Sequence, residues 1–69
     1  MDYKSMAQEY YDSAERLKTY EEKYEKLAQS SGKHRWEYYN SKAFYYHLRR
    51  ADALRIAKLL EEKEKSNDN

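Results

Sequence analysis

Cysteine is absent from this 69-residue chain, so it can form neither a disulfide nor a thiolate metal site. Proline is absent and glycine occurs once, which removes the usual helix breakers and leaves one natural turn point. No run approaches the ~20 apolar residues of a membrane-spanning helix. The first residues, MDYKSMAQEYY, lack the basic and apolar blocks of a secretory leader, so a cytoplasmic protein is expected. Phosphate-cradling glycine loops are excluded by the single glycine. Basic or acidic excess is also small, at a net charge of +1.

Charged residues make up 39% of the chain, a level that would favour disorder in an aromatic-poor sequence. Aromatics reach 16%, with nine tyrosines and one tryptophan, so the chain has large groups to bury. At this size a single core barely sustains folding, and without disulfides the remaining supports are well-packed helices or self-association. The charge is unevenly placed. Residues 1–32 carry five Lys/Arg against seven Asp/Glu, residues 33–58 seven against two, and residues 59–69 two against four. A basic middle segment lies between two mildly acidic ones.

Asp2 is a candidate N-cap with Met1 and Met6 as a hydrophobic staple, and Ser5 with Gln8 is a competing capping box. From there Tyr3, Met6, Tyr10, Ser13, Leu17, Tyr20, Tyr24 and Leu27 alternate in steps of three and four, a heptad seam with one polar intruder. Ala7, Ala14 and Ala28 flank it and permit close helix approach. Asp12–Arg16 and Glu22–Lys26 are i,i+4 pairs for the opposite face. Thr19 begins another capping-box pattern, but the heptad passes through it unbroken. The spacing predicts a first helix over about residues 3–29.

The stretch from Gln29 to Lys33, QSSGK, is the turn, with Gly32 expected to take the positive φ common just past a helix end. The register slips by five residues here, matching neither a stutter nor a stammer of a continuous coiled coil. The pattern predicts a helical hairpin. In the second helix, about residues 33–64, Trp36, Tyr39, Ala43, Tyr46, Arg50, Ala53, Ala57 and Leu60 form a seam that can face the first helix. Arg50 within it must snorkel or pair with an acidic residue of the other helix. A second stripe, Tyr38, Tyr45, Leu48, Ile56 and Leu59, cannot be covered by the same partner and marks a candidate interaction surface. The expected fold is all-α, an antiparallel two-helix hairpin over residues 1–65 that assembles as a homodimeric four-helix bundle, with residues 66–69 a disordered tail.

No motif carries chemistry, and no catalytic or cofactor-binding residue is assigned. His34 and His47 are thirteen positions apart, far from the i,i+4 spacing of helical metal pairs, and His34 with Glu37 reverses the Glu-x-x-His order. No serine has a recognisable His/Asp companion, and Ser30 and Ser31 are simple turn residues. The chain is expected not to be an enzyme, to need no metal or cofactor, and to offer no small-molecule site. Helix two is too mixed for membrane-surface binding.

Two readings of function remain. The first is a non-enzymatic protein-interaction or regulatory module working through helix–helix contacts and self-association. Tyr, Trp and Arg, its prominent residues, are the types enriched at interface hot spots. The second is RNA or DNA binding by helix two, with Lys42, Arg49, Arg50, Arg55 and Lys58 as candidate phosphate contacts and tyrosines as base platforms. Against the second, these tyrosines fall at seam spacing, and the cations are spread around the helix.

Overall fold

The computed structural model describes residues 2–67, with side chains for residues 2–66. Two helices, α1 (Tyr3–Ser30) and α2 (Lys33–Asn67), pack against each other as an antiparallel hairpin. The result is a rod of 56 × 14 × 13 Å with a radius of gyration of 16.0 Å. A spherical domain of this length would have a radius of about 11 Å. Long side-by-side contact therefore replaces a central core.

α1 starts where Asp2 caps it. The Asp2 backbone is extended, and its carboxylate accepts from the Lys4 amide at 3.1 Å and from the Ser5 hydroxyl at 2.8 Å. Ser5 thus supports the Asp2 cap instead of starting its own. The staple partner Met1 lies outside the described residues. The helix passes Thr19 without a break, and the Thr19 hydroxyl donates back to the Glu15 carbonyl at 3.2 Å. On the outer face Asp12 accepts from Gln8 and Arg16 donates to Ser13, so the local partners differ from the expected Asp12–Arg16 pair.

The turn does not use a left-handed glycine cap. Gly32 has no positive φ, contrary to expectation. Ser31 is extended, with φ −92° and ψ 160°, and ends α1. Gly32 begins the next helix, its carbonyl accepting from the Arg35 and Trp36 amides at 3.1 Å each. Glycine is favoured at such an N-cap as well as beyond a C-cap, and this chain uses the first preference. The orphan carbonyls at the end of α1 are met by hydroxyls: Ser30 donates to Lys26 and Ser31 to Ala28. α2 continues to Asn67, past the expected end near residue 64 and into the expected tail. Residues 68 and 69 of that tail lie outside the described residues.

The interior is made of alanine. Its buried apolar residues are Ala7, Ala14 and Ala28 of α1 and Ala43, Ala53 and Ala57 of α2, and Ala57 is 0% exposed. Among the described residues no large side chain is fully buried. On α2 the expected seam is the observed one from Tyr39 to Leu60. On α1 the line of deepest burial runs through positions 7, 14, 21 and 28, one residue on from the expected seam. Small residues every seventh position let the backbones approach closely, and the larger neighbours then splay to either side. Tyr20, expected in the seam, is consequently 48% exposed, while Glu21 is buried in its place.

Candidate interaction surface

Rotation of α1 about its alanine line divides the hairpin into two flanks. On one, Tyr20 and Tyr24 of α1 meet Tyr39 and Tyr46 of α2. Tyr46 stacks on Tyr20 at 5.3 Å between ring centroids and on Tyr24 at 5.6 Å, and Tyr24 reaches Tyr39 at 6.2 Å. Tyr38 and Tyr45 extend this ladder outward, each edge-on to its neighbour at 5.4 and 5.3 Å. Six tyrosines thus form one connected aromatic layer. Offset stacking and edge contacts are favoured by the ring quadrupole, at about 0.5–1.5 kcal/mol per pair.

Of the stripe singled out in the sequence, Tyr38 is 58% and Tyr45 52% exposed, and Leu59 lies two heptads beyond Tyr45 on the same strip, half exposed. Leu48 is also half exposed but sits toward the outer face of α2. Ile56 is only partly exposed. It lines a crevice of about 330 Å³ with Tyr10, Ser13, Leu17 and Ala53, so α1 already covers part of it.

The candidate phosphate-binding cations are in different surroundings. Lys42 lies 5.6 Å from the centre of the Tyr38 ring and Arg49 5.8 Å from that of Tyr45, both on the tyrosine flank. Arg55 pairs with Asp52 at 3.2 Å on the exposed surface, and Lys58 is exposed. Arg50 is turned inward, toward Glu21.

That pair sits on the second flank. Glu21 interrupts the alanine line of α1, is 9% exposed, and faces Arg50, which interrupts the seam of α2. Arg50 Nη2 is 3.4 Å from Glu21 Oε1, close enough for an ion pair, yet that oxygen has no hydrogen-bond partner. His47 Nδ1 lies 3.4 Å from Glu21 Oε2 and 3.5 Å from Arg50 Nη2. One nitrogen cannot donate to the carboxylate and accept from the guanidinium at once, so the imidazole serves one partner or the other.

Above this cluster opens a groove lined by Glu25, Trp36, Glu37, Phe44 and His47. Trp36 was expected to close the seam but is 49% exposed. It stands at the edge of the seam, where it lines the groove together with Glu25 of α1. Phe44, 61% exposed, belongs to neither stripe read from the sequence. Its signal was its position one after Ala43, which directs it to the flank away from Tyr45. Near the open end of this flank the Glu61 carboxylate accepts from Tyr11 and raises its pKa above the ordinary tyrosine value.

Among the described residues no group of three or more His, Asp or Glu side chains is arranged to hold a metal ion, and no helix is long and apolar enough to cross a membrane. In comparisons with protein-family models, curated proteins and solved structures, none matches this chain.

Proposed function

We propose that this chain is a small, non-enzymatic protein-interaction module that works through helix–helix contacts and self-associates as a homodimeric four-helix bundle. The supporting observation is the mismatch between its interior and its surface. The hairpin interior holds six alanines, while Tyr38, Tyr45, Leu59 and Tyr20 stand half exposed along one flank. Fully burying one large apolar side chain is worth about 1.5–3 kcal/mol, so each of these half-exposed groups leaves part of that stabilisation unrealised in the lone hairpin. A second hairpin on the tyrosine flank would bury Tyr38, Tyr45 and Leu59 and finish covering Ile56, with Leu48 at the rim. A cytoplasmic setting belongs to the same proposal and rests on the cysteine-free composition.

Sedimentation equilibrium over the micromolar range tests the reading. A species of twice the 8.5 kDa chain mass is expected. A cooperatively folded monomer across that range overturns it.

A nucleic-acid-binding reading has one specific observation in its favour. Lys42 over Tyr38 and Arg49 over Tyr45 place cations beside exposed rings, a pairing suited to phosphates and unstacked bases. Such binding would weaken steeply between about 50 and 200 mM salt and vanish in Arg49→Glu with Arg55→Glu. A largely apolar protein interface would respond little to the same change.

A further inference from the structure

The tyrosine flank differs from end to end. In the half nearest the turn it carries the tyrosine ladder and, by heptad position, the cations Lys23, Arg35, Lys42 and Arg49, with no acidic residue. Three of these cations lie over tyrosine rings, Lys23 over Tyr24 at 5.9 Å being the third. In the half nearest the open end the flank carries Asp2, Glu9 and Asp52 against Arg16 and Lys63, with Asp52 also held by Arg55 from the outer face. The whole rod shows the same polarity. Residues 17–49 hold seven Lys/Arg and four Asp/Glu, a net +3, whereas residues 2–16 and 50–67 hold seven and eight, a net −1.

Relief follows the same division. The turn half is a ridge of rings. The open half holds most of the crevice of about 330 Å³ between Tyr10, Leu17 and Ile56, which Asp52 and, at the boundary of the halves, Arg49 also line. Its centre lies about 5 Å from the midpoint of the rod at 1.5 Å per residue, and the same distance on the turn side reaches Tyr20, Tyr45 and Tyr46.

One flank can meet its own copy about a two-fold axis in two ways. With the axis along the rod the turns lie together. Ridge then meets ridge, cations meet cations, and crevice faces crevice. With the axis across the rod the turns lie at opposite ends. Each basic ridge then meets the other copy's nearly balanced half instead of a second basic ridge, and each ring cluster meets a crevice. We infer that two copies pack flank to flank with their turns at opposite ends, Tyr20 and Tyr45 of each entering the crevice of the other. This inference rests on the self-association proposed above.

The absence of native cysteine makes orientation directly measurable. Gly32→Cys introduces a label at the turn, where an added Cβ meets nothing within 4 Å and φ is not positive. Lys65→Cys labels the exposed open end. Pulsed dipolar spectroscopy on spin-labelled Gly32→Cys homodimers should give a separation close to the 56 Å rod length. An equimolar mixture of the two variants should add a distance between position 32 of one copy and 65 of the other that is far shorter than the rod length. A short 32–32 separation overturns the inference while leaving the dimer standing. A folded chain with no intermolecular distance overturns both.

Discussion

Phe44 and Tyr45 are consecutive residues, both large, aromatic and more than half exposed, yet they face different surroundings. Tyr45 joins a layer of six stacked and edge-on tyrosines with cations over their rings. Phe44 stands beside His47, at 6.5 Å between ring centroids, over a buried carboxylate and two further glutamates. The tyrosine flank is a continuous layer of rings, half exposed at Tyr20, Tyr38 and Tyr45. The glutamate flank is held within the hairpin by an ion pair and presents acidic groups around its groove. An exposed aromatic ring is therefore not evidence of an interface by itself; the continuity of its neighbours decides.

The sharpest way to break this comparison is to place a charge on the tyrosine flank. Tyr45→Glu should weaken the dimer by about 2 kcal/mol or more, on the order of 30-fold in dissociation constant, as expected for a central interface residue. Sedimentation equilibrium reads it directly. Leu48→Glu, nearer the outer face, should weaken it less, and equal effects would place the interface on the outer face instead.

The glutamate flank should instead govern the stability of the hairpin itself. Arg50→Met leaves Glu21 buried with only His47 beside it and should cost about 2–3 kcal/mol, below the range for a fully buried pair because Arg50 is still partly solvated. Glu21→Ala together with Arg50→Leu removes both charges and completes the alanine line of α1. That double variant should return to within about 1 kcal/mol of the parent. Urea denaturation at fixed protein concentration measures both. A double variant less stable than Arg50→Met would show that the ion pair contributes more than the packing that replaces it.

Next in size is the contrast between the two neighbours. Phe44→Ser should change stability by less than about 0.5 kcal/mol and leave association unchanged, whereas Tyr45→Ser should weaken association. Equal effects from the two substitutions would erase the distinction between flanks.

The smallest expected effects are in pH dependence. Tyr11 has its pKa raised, first by the hydrogen bond to Glu61, then by desolvation. A raised folded-state pKa gives stability that is present below the ordinary tyrosine value and lost as pH rises through the folded value. Tyr11→Phe should flatten the alkaline fall in melting temperature above about pH 10. Asp2 works at the other end of the scale. Its pKa is lowered, chiefly by the Ser5 hydroxyl, so its contribution is present above about pH 4 and lost as pH falls. Asp2→Ala should lower the melting temperature at neutral pH and shrink that difference in acid.

Much of this architecture was legible in the chain. The helix break at Ser31-Gly32 followed from the register slip, and the seam of α2 from Tyr39 to Leu60 followed from its three-four spacing. A cation in an apolar seam left Arg50 two choices, to snorkel or to pair with an acid of the other helix, and the structure shows it beside Glu21. Other features were hidden for identifiable reasons. Large tyrosines dominated the pattern of α1, but the alanines beside them determine how near the backbones come. Glu21 looked like any surface glutamate until α1 was rotated about that line. Trp36 fitted the seam by spacing, which does not show how much of a large ring a neighbouring helix leaves exposed at the end of a hairpin. Phe44 was passed over because each tyrosine doublet already supplied one residue to each assumed side.

Sequence periodicity alone determined that there are two helices, that they fold back on one another, and that α2 is apolar on more than one side. Only the tertiary structure decided the rotation of α1, the burial of Glu21 against Arg50 and His47, and the gathering of six tyrosines on one flank. The physical reason is that periodicity sets the angle of each side chain about its own helix axis. It does not set the rotation of one helix against another, which here is settled by where alanine lets two backbones come closest.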